Sequence, residues 1–259
     1  MLLKYLDLHN KILRDAADPD KVAAELLEKG YYVVGVNVHN DGTEIKGKEH
    51  FYRFFETHFE MFEQKGLLML PAVEIKIRDG NYEALPKLAE EFSRKFIPIH
   101  HKGEVHHVPF MIFVHGGKEE ANRISAEEEK VDLLCHPLKD GGRFGPEMAR
   151  SAKEHDVGIE LNYREYMISE DKERHLDEMK ALLKTCHDAG DKIFLFSATI
   201  KEEELVHIQE LLEYGRLLHE DLLHESIENV HELLQRKYSP LLKKVGFDIN
   251  RMKERQMLP

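Results

Sequence analysis

The chain carries only two cysteines in 259 residues, Cys135 and Cys186. They make no Cys-x-x-Cys metal pair and cannot build a disulfide framework, which excludes a small disulfide-stapled scaffold and fits a reducing compartment. Long apolar runs are missing too: no stretch reaches the roughly 18 residues of a membrane span. The opening MLLKYLDLHN places Asp7 and His9 where a signal peptide needs unbroken apolar sequence. No membrane partner is expected, and the expected location is the cytoplasm. Positive charge is scarce as well. With 37 Lys and Arg against 49 Asp and Glu the net charge is −12, so nucleic acid cannot be wrapped by bulk charge and any RNA contact must be local. Neither a Ser/Gly-rich or Pro-rich linker nor a fixed-period repeat divides the chain, which favours one continuous fold.

Apolar residues are plentiful, at 42% with 13 Phe and 9 Tyr, enough for a sizeable core. Short β-type runs alternate with longer helical ones. Seven strands are expected, over 3–8, 31–38, 67–77, 109–114, 131–134, 157–161 and 192–196. This alternation is the sign of β/α units, and seven steps without a break favour a closed or nearly closed barrel. Asp18 with Pro19 marks a helix start, and Gly30, Gly66 and Gly190 mark helix ends. Thr199 and Glu202 have capping-box spacing, which predicts a helix almost directly after the last strand. The Phe-rich helix 51–62 has core spacing. A helical extension over 216–259, ending in a basic stretch, is expected to follow a barrel over 1–215.

Histidine is abundant, with 17 copies. His175, His187, His207, His219, His224 and His231 fall on Glu- and Lys-rich helices and read as solvated. The others gather where strands end, which is where such barrels keep their functional side chains. Strand one ends in Asp7 and His9, strand two in Asn37 and His39, strand three in Glu74, strand four in His115, strand five in His136, strand six in Glu160 and Asn162, and strand seven in Ser197 and Thr199. Imidazoles and carboxylates converging from separate strands suit a divalent metal, Zn, Mn or Fe. Equally, such groups can satisfy one another by hydrogen bonds or line a polar pocket without chemistry.

On these residues the chain resembles the polymerase and histidinol phosphatase (PHP) superfamily. LDLHNK resembles its Asp-x-His-x-His motif at Asp7 and His9, GVNVHND its second motif at His39, PAVEI its Gly-x-Glu strand at Glu74, and VDLLCHP its His-Pro stretch at His136. The resemblance implies a distorted seven-stranded, TIM-like β/α barrel with metal at the strand ends. The departures are Lys11 in place of the second histidine of the first motif, and LFSAT in place of Gly-Ser-Asp-Ala-His, which puts Ser197 and Thr199 where ligands are expected.

Over 116–162 the chain is similar to the archaeal ribonuclease P protein component 3 family, the counterpart of the eukaryotic thirty-kilodalton subunit. The shared features are Gly116 and Gly117, Asn122 and Arg123, the stretch from Val131 to Pro137, and Ile159 to Asn162; Ser197 and Ala198 also suit that family. This resemblance implies a subunit that binds ribonuclease P RNA, with precursor tRNA as the particle's substrate, and a small partner protein. Lys11, Arg123, Lys139 and Arg143 are the expected RNA or phosphate contacts, with an ion pair between Arg123 and a nearby Glu as the plain alternative. Unlike the family's usual members, this chain keeps His9, His39, Glu74 and His136. A metal-dependent phosphoesterase is the alternative function, in which those four hold one metal and His115 or Glu160 acts as ligand or general base. An interaction scaffold with a degenerate site is a third.

Overall fold

The structure is a computed structural model that describes residues 5–10, 16–40, 48–78 and 80–247. Lys11 and the basic stretch beyond 247 lie outside the described residues.

Among these, seven strands form one sheet in the order β1 (Tyr5–Asn10), β2 (Tyr31–Asn40), β3 (Leu68–Ile75), β6 (Met111–His115), β7 (Leu133–Cys135), β8 (Gly158–Asn162) and β9 (Ile193–Phe196), every pairing parallel. Helices α1 (Pro19–Glu28), α2 (Lys48–Lys65), α3 (Leu85–Ser93), α4 (Glu119–Ala126), α5 (Pro146–His155), α6 (Tyr163–Ile168) and α7 (Lys172–Ala189) lie between the strands. The strands are buried along almost their full length. That is the condition of a parallel sheet covered by helices on one face and closed on itself on the other.

Closure is incomplete between β1 and β9, which are not paired in the sheet. The exposed edge of β9 is satisfied by side chains instead. The Tyr5 hydroxyl donates to the Leu195 carbonyl. The Leu195 amide donates to Ser226 Oγ at 2.8 Å, and Asn229 Nδ2 donates to the Ile193 carbonyl at 2.9 Å. Ser226 and Asn229 belong to the long last helix, α9 (Leu222–Val245), whose Leu222, Leu223, Ile227, Val230 and Leu234 are buried. An open strand edge costs unpaired backbone groups, so α9 completes the barrel as well as its apolar core.

Local signals worked where their chemistry is strong. Asp18 accepts from the Lys21 amide and Pro19 opens α1. Gly30, Gly66 and Gly190 all have positive φ. Phe51, Phe54, Phe55, Phe59 and Phe62 of α2 are buried. Asn162 caps α6 by accepting from the Glu165 amide at 3.2 Å.

Three expectations are corrected. The stretch 96–109 holds an antiparallel hairpin, β4 (Phe96–His101) and β5 (Glu104–Pro109), turned through Lys102 and Gly103 at positive φ; Pro109 therefore ends β5 rather than opening the next barrel strand. Thr199 caps no helix: its hydroxyl bonds Ser197 Oγ at 2.7 Å, and the capping box forms at His207 and Glu210, at the head of α8 (Ile208–Leu218). His231, read as solvated, is 2% exposed within α9.

Candidate functional site

Neighbouring residues in a parallel ladder point to the same face, and side chains two apart on one strand share it. The register His39 to Glu74, Glu74 to Phe113, and His115 to Cys135 therefore aims His39, Glu74, His115 and Cys135 toward the barrel interior, His115 and Cys135 two residues further along than His39 and Glu74. Glu160 pairs with Phe194 on the adjacent strand β9. His136 follows Cys135 directly and would face outward by alternation. Its φ of 56° is left-handed, and this turn brings the ring back inside, with centroids 4.6 Å from His115 and 5.5 Å from His9. A non-glycine residue in that region is strained, and such strain concentrates where a side chain must be aimed.

The result is a ring of imidazoles around Glu74, a carboxylate with no solvent exposure. His39 Nε2 lies 2.8 Å from Glu74 Oε2, and His115 Nδ1 lies 2.5 Å from Glu74 Oε1. His136 Nε2 stands 3.7 Å from Glu74 Oε1, while its Nδ1 meets Glu165 Oε1 at 2.8 Å. His9 Nδ1 is 2.6 Å from Glu160 Oε1. The other nitrogen, His9 Nε2, is 3.4 Å from Glu74 Oε2 yet makes no aligned hydrogen bond, and Glu160 Oε2 has none either. Buried polar atoms are almost always paired, so these two orphans mark room for a further partner.

Two triads, His9 with Glu74 and His136, and His9 with Cys135 and Glu160, each bring three donor atoms within 4.8 Å of one another. Nitrogen, carboxylate and thiol donors at that spacing fit a divalent transition metal. The electrostatics point the same way. Burial disfavours charge on His9, but Glu160 and then Glu74 outweigh it and raise its pKa to about 9. Glu160 is opposed by burial and held down to about 2 by His9 and then His136. His115 is lowered to about 4, burial outweighing Glu74. The protonated His9 thus occupies the place of a cation among buried carboxylates.

The ring opens into a cavity of about 360 Å3, lined also by Lys76, Lys139 and Arg164, with Ile168 and Ile200 at its mouth. Lys76 Nζ is 3.2 Å from His115 Nε2, and burial and then Lys139 lower its pKa. Arg164 is held by Glu204 through two bonds of 2.9 Å.

Ser197, Thr199 and Asp7 fill the side of the ring beside β1 and β9. Ser197 Oγ donates to Asp7, and the Asp7 pKa is raised to about 7, burial outweighing that hydrogen bond. Lys139 reaches the cavity, whereas Arg123 and Arg143 line a separate groove of about 650 Å3 with Arg150, between α4 and α5. Arg123 pairs with Glu127, at 2.9 Å, the plain alternative foreseen for it. The Gly-Gly and following loops are tied by Asn122, which accepts from the Gly117 amide at 3.2 Å and donates to the carbonyls of Pro137 and Arg143 at 2.7 and 2.9 Å. A Cβ on Gly142 would stand 2.4 Å from the Pro137 carbonyl, so these glycines allow the loops to approach each other.

Sequence reasoning missed Glu165, Lys76 and Cys135. Glu165 sits three residues past a strand-end cap, and Lys76 two past Glu74; both were legible as positions just beyond strand ends. Cys135 was passed over because its nearest partners are remote in sequence.

No protein-family model matches the chain. Among curated proteins it is 29% identical over 82 residues to ribonuclease P protein component 3 of Haloarcula marismortui, covering 31% of this chain and 35% of that protein. It is 27% identical over 135 residues to the protein of the same name from Methanosarcina mazei, covering 50% and 56%. The matches therefore span about a third to just over half the length of these relatives. Among solved structures, a chain of archaeal ribonuclease P with mature tRNA superposes with a TM-score of 0.67 at 17% identity, covering 90% of this chain and 91% of that one. Histidinol phosphate phosphatase from Lactococcus lactis, solved with zinc, L-histidinol and phosphate, gives 0.55 at 14% identity, covering 83% and 93%. These likenesses bear out the expected resemblance: the chain is similar in sequence to archaeal ribonuclease P protein component 3, and its nearly closed seven-stranded barrel superposes on a chain of archaeal ribonuclease P and on histidinol phosphate phosphatase.

Proposed function

We propose that this chain acts as a ribonuclease P protein component 3-like subunit, binding the particle's RNA and a small partner protein in support of 5′-leader removal from precursor tRNA. The observation that carries the reading is the pairing of sequence similarity to proteins of that name with a superposition that extends over nine-tenths of both chains. The groove with Arg123, Arg143 and Arg150 supports it, because guanidinium forks match phosphate oxygens. Glu119, Glu127 and Glu147 line the same groove, so the contact is local rather than a broad basic face, in keeping with the net charge of −12. Reconstituted cleavage of precursor tRNA by ribonuclease P RNA with its small partner protein tests this. Adding the chain should lower the magnesium needed, and Arg143→Ala with Arg150→Ala should reduce the salt dependence of RNA binding by up to about two phosphate contacts. No change in magnesium requirement with the partner present would remove the reading.

A second reading is favoured by the ring itself: a metal-dependent phosphoesterase, with Zn, Mn or Fe held by His9, Glu74 and His136 and approached by His39. Such a metal supplies Lewis acidity and polarises a phosphoryl oxygen. Glu160 holds His9 in position through Nδ1. His115, neutral near pH 7, carries its proton on Nδ1 toward Glu74 and presents Nε2 to Lys76. Lys76 and Lys139 offer charge to a phosphate in the cavity. Chelator-sensitive hydrolysis of a generic phosphate ester by the purified chain tests this reading.

A further inference from the structure

We propose that Cys135 is a thiolate ligand of the barrel's metal, joining His9 and Glu160 to make a nitrogen, sulfur and oxygen donor set. The inference rests on the reading of the ring as a metal centre; it adds Cys135 beside His9, which both triads share, and gives Glu160 Oε2 to the metal while Oε1 keeps its bond to His9 Nδ1. Three independent features of the geometry carry it. First, β7 is in register with β6 so that Cys135 lies beside His115, and its side chain therefore points inward. Ordinary alternation would then send His136 out; the left-handed backbone at His136 lets two consecutive residues face one site. Second, donor atoms of Cys135, His9 and Glu160 lie within 4.8 Å of one another, with all three residues buried. Third, the two orphaned buried atoms of the ring, His9 Nε2 and Glu160 Oε2, belong to the residues that share this triad with Cys135.

The chemistry has a consequence for metal choice. Thiolate is a soft ligand that suits Zn, whereas carboxylate and water suit Mn and Mg. When the metal binds, the S–H bond breaks, a sulfur–metal bond forms, and the proton leaves to solvent, since thiolate rather than thiol is the ligand. A centre with Cys135 bound holds Zn in preference to Mn more strongly than one built of imidazole and carboxylate alone.

Cobalt(II) is the probe. Titrated into the full chain, it should bind and give a near-ultraviolet sulfur-to-cobalt charge-transfer band. Cys135→Ser should abolish that band while cobalt still binds, and should reduce the Zn-over-Mn affinity ratio by more than about tenfold. Cys186→Ser, which alters the other buried cysteine, should leave the band intact. Cobalt bound without the band, or a band that survives Cys135→Ser, overturns the assignment but leaves the metal reading standing. No cobalt binding by the wild-type chain overturns both. Should Cys135→Ser fail to fold, X-ray absorption of the zinc-loaded wild-type chain decides: one sulfur at about 2.3 Å supports the assignment, and its absence ends it.

Discussion

The two sides of the barrel mouth are built from the same kinds of strand ends and have opposite electrostatic characters. On one side, four imidazoles from β1, β2, β6 and the end of β7 crowd two buried carboxylates from β3 and β8, leaving His9 Nε2 and Glu160 Oε2 without hydrogen bonds. On the side of β1 and β9, Asp7, Ser197 and Thr199 close on one another through their own hydroxyl and carboxyl groups. Carboxyl groups record the contrast: Glu160 is held down to about 2 by His9 despite burial, while Asp7 is raised to about 7 by burial that its hydroxyl neighbour only partly offsets. A hydroxyl can complete a hydrogen bond but supplies no charge to keep a buried carboxylate ionised. Where serine and threonine stand at the end of β9, the mouth has become self-satisfied structure. Where imidazoles remain, it keeps unmet polar atoms that a metal would satisfy once His9 gives up its proton.

The sharpest break in that contrast is removal of a carboxylate on the histidine side. Glu160→Gln deprives buried His9 of its charged partner, and breaking a buried pair costs about 3–5 kcal/mol; urea unfolding of the metal-free chain near pH 7 measures it. Glu74→Gln should abolish tight metal binding, weakening Zn by more than the roughly 10- to 100-fold typical of losing an outer partner, as read by chelator competition. If Glu74→Gln binds zinc as well as the wild type, the histidine side is structure like its opposite.

A carboxyl remote from the mouth calibrates what burial alone does. Asp191 is 6% exposed, accepts from the Lys192 amide at 2.7 Å, and has a second oxygen without a partner. Burial raises its pKa to about 7. The folded chain therefore holds this proton more tightly than the unfolded one. The resulting stability is complete below the ordinary aspartate value of about 3.9 and is lost as pH rises through about 7. Asp191→Asn removes that dependence. Relative to wild type, the fall in unfolding free energy between about pH 5 and about pH 8 should shrink by up to roughly 3 kcal/mol. An unchanged difference between the two proteins would mean that Asp191 ionises freely in the fold.

Much of this was legible in the sequence because strand ends and barrel order are one-dimensional signals. His9, His39, Glu74, His115 and His136 were readable as strand-end residues, and the parallel register does bring them together. What the sequence hid depends on backbone torsion and on partners far apart in the chain. Nothing in VDLLCHP states that His136 turns left-handed, so the inward pair of Cys135 and His136 could not be read from alternation. Glu165 meets His136 only because Asn162 caps α6 at the right place. The hairpin at 96–109 was missed although Lys102 and Gly103 between two alternating runs have the turn chemistry of a tight hairpin; the barrel pattern absorbed its end into the next strand.

The smallest test separates the two sides most cleanly, because it should disturb one and spare the other. Ser197→Ala removes the hydroxyl that donates to Asp7 and that accepts from the Thr199 amide at 3.3 Å. A buried acceptor that loses its donor costs about 1–3 kcal/mol. The loss should be milder below pH 7, where Asp7 is protonated and carries its own hydrogen. Zinc affinity should stay within about twofold of wild type, since the Ser197 hydroxyl bonds Asp7 and Thr199 and reaches the ring only through Asp7, which accepts from the His9 amide at 3.2 Å. Equal loss of stability and of zinc affinity would show that Asp7 and Ser197 still take part in the metal centre, and the mouth would then be one site rather than a spent half beside a working one.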